Sequence, residues 1–133
     1  MIAGLIVLVG FSLVVSGCNL FGDKVSKKER IDMFVADINA HNWTSLYTHI
    51  HPDNSSRNNL KSATDWEPSP FAANVALSYS NYQESGDTIT VDITSSDSNE
   101  GSTWTFTMKE DTPDLWYIDR LTTTRSAVSP IIQ

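Results

Sequence analysis

The chain has 133 residues, one cysteine and a formal charge of -7, enough for a single compact domain with terminal segments and too little for a multidomain enzyme. Nine basic side chains against sixteen acidic ones, with no basic stripe interleaved with aromatics, exclude nucleic acid as a partner. A single thiol excludes an internal disulfide framework and any multi-thiolate zinc or iron–sulfur site, so the fold rests on apolar burial and no cofactor is expected.

The first seventeen residues are almost wholly apolar, with Ile2, Leu5, Ile6, Val7, Leu8, Val9, Phe11, Leu13, Val14 and Val15 and no charged side chain. Such a run inserts into a bilayer, yet it falls short of the ~20 residues of a comfortable span and closes on small residues, as a cleavable signal does. The run Val15-Ser16-Gly17-Cys18 resembles a bacterial lipoprotein lipobox. The resemblance implies that the Cys18 thiol carries diacylglycerol, that cleavage before it makes Cys18 the first mature residue, and that the new amino group is acylated. A thiol is the side chain suited to thioether formation. Each buried methylene contributes about 0.8 kcal/mol, so two or three acyl chains anchor durably where one is marginal. The alternative is an uncleaved helix from Ile2 to Phe21, after which Lys24, Lys27, Lys28 and Arg30 would draw the domain into the cytosol. Export suits a Ser- and Thr-rich chain with no thiol beyond Cys18. The chain then divides into a signal peptide at 1–17, a lipidated tether at 18–25, a domain at 26–125 and a tail at 126–133. The membrane is a partner through the lipid on Cys18, at the bacterial cell envelope.

Ser26-Lys27-Lys28-Glu29 has the capping-box pattern, in which serine and glutamate satisfy each other's free backbone amides, and predicts a helix start. Ile31, Phe34, Val35 and Ile38 recur at i, i+3, i+4 and i+7, an apolar stripe that predicts a helix over 27–40 with Glu29, Asp32 and Asp37 toward water. Beyond His41-Asn42, the set Trp43, Leu46, Tyr47 and Ile50 repeats the spacing and predicts a second helix, capped by Asn42 and stopped by Pro52. Residues 54–66 read as a short third helix capped by Ser55 or Ser56, burying Leu60, Ala63 and Trp66.

From Asn74 the period changes to alternation. Val75, Leu77 and Tyr79 share one strand face. Ser85-Gly86-Asp87 turns into Ile89, Val91 and Ile93, and a polar loop over 95–102 leads to Trp104, Phe106 and Met108. A turn over 110–114 precedes a strand from Leu115 to Thr123, with Leu115, Tyr117 and Leu121 on one face and Trp116 and Ile118 on the other. Ile131 and Ile132 are placed to dock on the sheet. Helices followed by a meander give an α+β fold, with the N-terminal helices packed on one face of a curved four-stranded antiparallel sheet. Charge divides with them: eleven acids follow from Asp65 onward against Lys109, Arg120 and Arg125, while the Lys24–Arg30 cluster is expected beside lipid headgroups.

The order of elements, with Phe34, the Asn39-Ala40-His41-Asn42-Trp43 junction, Leu46, His51-Pro52-Asp53 and the closing Leu115-Trp116-Tyr117-Ile118 strand, resembles the NTF2-like superfamily. The resemblance implies a cone whose curved sheet and helices enclose a pocket, here lined by Phe34, Tyr47, Trp104 and Trp116. It further implies use in binding a small apolar ligand or a protein partner. The alternatives are isomerase or dehydratase chemistry in that pocket, or a structural module that forms a homodimer through the sheet face carrying Thr90, Thr94, Thr105 and Thr107.

Catalysis in such a pocket needs an acid or base among apolar walls, and the residues offer none to assign. Asp92 alternates with Val91 and Ile93 and so faces solvent; Asp119 with Tyr47 or Tyr117 is the dyad worth testing. His49-x-His51 in an extended segment would put two imidazoles on one side, but with no acidic or thiol ligand fixed nearby, no metal is expected, His41 included. Trp43, Trp66, Trp104 and Trp116 form either a stacking platform or, as periodic aromatics usually do, core.

Overall fold

The computed structural model describes residues 24–62, 65, 76–96, 98–124 and 132–133. Cys18 and the leader, Ala63, Trp66, Val75, Arg125 and Ile131 lie outside the described residues. The order is helix α1 (Lys27–Asn39), α2 (Trp43–Leu46), a 3-10 turn (Tyr47–His49), α3 (Ser56–Asn59) and strands β1 (Leu77–Ser85), β2 (Thr88–Ser95), β3 (Ser98–Thr112) and β4 (Leu115–Thr123). The strands pair in sequence order as one antiparallel sheet, so the domain is α+β with a four-stranded meander.

The capping box forms as its residues require: the Glu29 amide donates to Ser26 Oγ, and the Ser26 amide donates back to Glu29 Oε2 at 2.9 Å. The predicted stripe of α1 is the buried face, Ile31, Phe34, Val35 and Ile38. It packs on Ile89, Val91, Ile93, Trp104, Phe106, Met108, Ile118 and Leu121 from the inner side of the sheet. The helix stops where Ala40 and His41 leave it, His41 taking a positive φ of 54°. The Asn42 amide bonds Asp37 O and the His41 amide bonds Ile38 O, consuming carbonyls that the helix leaves free.

Three expectations change. The second helix is one turn long, passing through the 3-10 turn into Ile50, because the Ile50 backbone pairs with Ile118 of β4 instead of continuing the helix. The expected polar loop over 95–102 is largely strand: β2 turns tightly and β3 begins at Ser98, with Ser95 opposite it. In β4, Ile118 and Leu121 are both fully buried, which strict alternation forbids. Thr107 pairs with Arg120 but Met108 pairs with Ile118, so Asp119 is an unpaired bulge residue that shifts the pleat by one.

Side elements pair with the β4 edge and with one end of the β1 edge. Along β4, Val25, Ile50 and Ile132 each make a bridge, to Leu115, Ile118 and Leu121 respectively, and Ile132 is fully buried as the sequence suggested. On β1, the Asn39 side-chain amide acts as a surrogate strand residue, accepting from the Leu77 amide and donating to its carbonyl, both at 2.8 Å. Farther along β1, Asn81 and Tyr82 together stand opposite Val91, and the bulge puts Asn81 at φ 53°. Closed and bulged edges give no straight template for another strand.

Candidate functional site

Two polar regions stand out, one inside the domain and one on its surface. Inside, Arg30, His49, His51 and Asn54 are the buried polar side chains among the described residues. Arg30, Phe34 and Asp37 lie at i, i+4 and i+7 on α1, and His49 lies along that row with its ring edge-on to Phe34 at 6.0 Å. His49 Nε2 meets Asp37 Oδ2 at 2.7 Å, and Arg30 Nη1 meets His49 Nδ1 at 3.3 Å. A guanidinium can only donate, so Nδ1 accepts and the proton sits on Nε2. Arg30 Nε donates to Trp116 O at 2.7 Å, and its Cζ lies 4.3 Å from the Tyr117 ring centroid. The chain Asp37–His49–Arg30 thus fastens α1 to the 3-10 turn and to β4.

Burial pushes the His49 pKa down, and Arg30 adds to this while Asp37 opposes it. Burial would raise Asp37, but hydrogen bonds from His49, Ser45 and Asn42 outweigh it and hold the carboxyl below its usual value. Both ring nitrogens of His49 are engaged, which leaves no lone pair for general-base work. His51 turns elsewhere: its Nδ1 accepts the Asp53 amide, and its buried Nε2 has no hydrogen-bond partner among the described residues, lying 4.0 Å from Asp111 Oδ1. The two histidines therefore do not converge. The Asp119 carboxylate faces Asn54, whose Nδ2 reaches its Oδ1 at 3.4 Å and its backbone carbonyl at 2.5 Å. Among the described residues, neither Tyr47 nor Tyr117 bonds it.

On the surface, Lys24, Ser26, Lys27, Lys28, Glu29, Glu84, Asp114 and Trp116 line an open groove of about 420 Å³. Lys27 forms its centre, its Nζ 4.2 Å from the Trp116 ring centroid, 3.0 Å from Glu84 and 2.7 Å from the Gly86 carbonyl. Lys24 pairs with Asp114 at 2.7 Å and Lys28 with Asp32 at 2.8 Å. Hydrogen bonds from Lys27 and Tyr82 hold the Glu84 carboxyl below its usual value, while burial and Glu84 push Tyr82 up to about 12. Each lysine of the expected headgroup cluster is thus matched by an acid of the domain, and Arg30 is buried. The groove is charged but nearly balanced, because acids of the sheet, Glu84 and Asp114, stand among the lysines of the helix start.

The four residues assigned to a pocket occupy three places. Phe34 and Trp104 are in the core, at 0% and 1% exposure, each ring 6.2 Å from Phe106. Trp116 floors the groove. Tyr47 is half-buried near Arg57 and Lys61. Nor do the described tryptophans share a platform, since Trp43 stacks on His41 at 5.5 Å. Arg30 and Asp37, the polar residues missed from sequence, carried a signal: at i-4 and i+3 from Phe34 they both lie on the flank of the apolar stripe beside that ring.

Among the described residues, no group of three metal-ligating side chains converges and no helix is long and apolar enough to cross a membrane. No protein-family model, curated protein or solved structure matches the chain.

Proposed function

We propose that the chain is an exported bacterial lipoprotein in which cleavage before Cys18 and lipidation of its sulfur tie an NTF2-like α+β domain to the envelope. In this reading the domain is a binding module without catalytic groups. Its partner is a protein segment or small molecule that presents an apolar group to Trp116 and polar groups to the lysines and acids around it.

What supports the anchor is the Val15-Ser16-Gly17-Cys18 run after the apolar leader, and what bears on its use is the clamping of the tether's end. The Val25 amide donates to Asp114 O at 2.9 Å, and the Trp116 amide donates to Val25 O at 3.0 Å, so residue 25 is part of the sheet. It stands seven positions after Cys18, a reach of about 25 Å when fully extended. The groove begins at Lys24 and Ser26, where the tether joins the domain, so a lipid on Cys18 would hold the groove close to the leaflet. The charged lining favours a partner of mixed polarity over a purely apolar ligand.

Replacing Cys18 by serine tests the anchor. Cys18→Ser leaves the precursor uncleaved and free of label when cells are fed radioactive fatty acid, whereas the parent chain takes up label. Undiminished labelling of the variant would refute lipidation at this sulfur.

A further inference from the structure

Ile89, Val91, Phe106 and Leu121 point into the core, so the residues that alternate with them form the outer face of the sheet. These stand in cross-strand ranks. Thr90 pairs with Thr105 and Thr105 with Thr122; Thr107 pairs with Arg120 in the rank on one side, and Asp92 with Thr103 in the rank on the other. None of these residues is buried. The two charges of the three ranks, Asp92 on β2 and Arg120 on β4, therefore lie at opposite corners with Thr105 midway between them.

Asp92 is arranged to receive a guanidinium. Asn81 Nδ2, reaching over from the β1 bulge, donates to its Oδ2 at 2.7 Å, and Thr103 Oγ1 donates to its Oδ1 at 3.0 Å. Each oxygen is thus fixed in place and keeps a free lone pair, which a forked donor can use. The same two bonds hold the carboxyl below its usual value, so it is an anion. Around it Asn81, Gln83, Thr90 and Thr103 line a hollow of about 210 Å³. Arg120 is exposed, and none of the ion pairs among the described residues uses it. It cannot fill the hollow of its own chain. Two strand spacings and four residues put Asp92 and Arg120 about 17 Å apart, beyond the reach of one side chain.

A second copy offers the same two groups in reverse. Consider a two-fold axis lying in the interface plane, through Thr105 and at right angles to the line from Asp92 to Arg120. It brings each Arg120 onto the other copy's Asp92, so both pairs form at once. The strands of the two sheets then cross steeply, near the orthogonal class of sheet packing. Threonine hydroxyls both donate and accept, so the ranks between the charges meet their copies without orphaned groups. The face measures about 19 by 27 Å from strand spacing and rise. Two copies would bury about 1,000 Å², the low end of specific interfaces, which sets the association as weak.

We propose that the outer sheet face is a homodimer interface in which Arg120 of each copy enters the hollow at Asp92 of the other. This surface is separate from the Lys27–Trp116 groove.

The test is sedimentation velocity of the full chain in non-ionic detergent, with near-ultraviolet circular dichroism to show that each variant is folded. The parent chain forms a reversible dimer. Asp92→Arg and Arg120→Asp each weaken it by about tenfold or more, because each variant sets like charges opposite one another. A mixture of the two variants dimerises again, since both cross-pairs are then opposite in sign. Independently, Thr105→Cys is joined to its copy by a short bismaleimide, read as the linked peptide by mass spectrometry. Thr94→Cys, on the same face but far from the axis, is not. A parent chain that stays monomeric at millimolar concentration would overturn the proposal. So would folded variants that associate as the parent does or fail to associate when mixed, or equal cross-linking at positions 94 and 105.

Discussion

His49 shows how much depends on a proton. Its ring donates to Asp37 and accepts from Arg30, an arrangement available only to the neutral Nε2–H form. The unfolded chain takes up a proton near the ordinary histidine value of about 6.5, but burial holds the folded pKa lower. The unfolded state therefore binds more protons as pH falls, and the His49 contribution, fully present above about 6.5, is lost on descending through the folded pKa. Asp37, with its own lowered pKa, drives acid loss in the same direction at lower pH. Urea melts from pH 7 to pH 5 will show declining stability, and His49→Gln will flatten that slope while lowering stability at pH 7 by about 1–3 kcal/mol, the cost of buried partners left unmatched. At the sheet edge, Asn39→Ala removes two hydrogen bonds to Leu77 and is expected to cost about 1–2 kcal/mol in the same assay. The role of Asn39 was invisible in sequence, because its partner lies 38 positions away and an exposed amide at a helix end has no periodic signature.

At the scale of elements, local chemistry was readable and long-range geometry was not. The capping box, the α1 stripe and the Gly86 turn follow from neighbours within a few residues, and all three form. Ser26→Ala should destabilise by about 1 kcal/mol, measured by chemical denaturation, through loss of the cap. The second helix failed as an expectation because Ile50 finds a better partner in Ile118 across the fold than in another helical turn, and helices this short have little cooperativity to resist. The β4 bulge escaped because alternation assumes an unbroken pleat. Deleting Asp119 would remove the bulge while keeping Ile118 opposite Met108 and Leu121 opposite Phe106, so both stay on the inner face; we expect the chain to keep the near-ultraviolet circular dichroism signal of the folded state and to lose only the bond from Asn54. Asp119→Ala keeps the backbone carbonyl that receives Asn54 and should remain folded. Loss of the signal in the deletion, with Asp119→Ala folded, would contradict the register given for β3 and β4.

For the whole molecule, α+β class and a four-stranded meander were legible because apolar period changes once, from helical to alternating, near residue 74. The candidate site was less so. Sequence grouped Phe34, Tyr47, Trp104 and Trp116 by aromatic character, but the bulged strand and the position of α1 send two into the core, one to the groove and one beside Arg57 and Lys61. Charge likewise had to be seen in three dimensions: Lys24, Lys27 and Lys28 look like a basic cluster in the chain, yet Asp114, Glu84, Asp87 and Asp32 neutralise them in space. Orientation at a membrane would then depend on the tether and not on that cluster, so raising salt from 0.05 to 0.5 M, on the order of a threefold change in screening length, should leave the membrane-bound fraction of the lipidated chain unchanged. The most direct measurement is the intact mass of the chain purified from its native membrane. The account predicts a protein beginning at Cys18 with the added mass of diacylglycerol and an amide-linked acyl group; a chain that retains Met1 and a free thiol at Cys18 would contradict it.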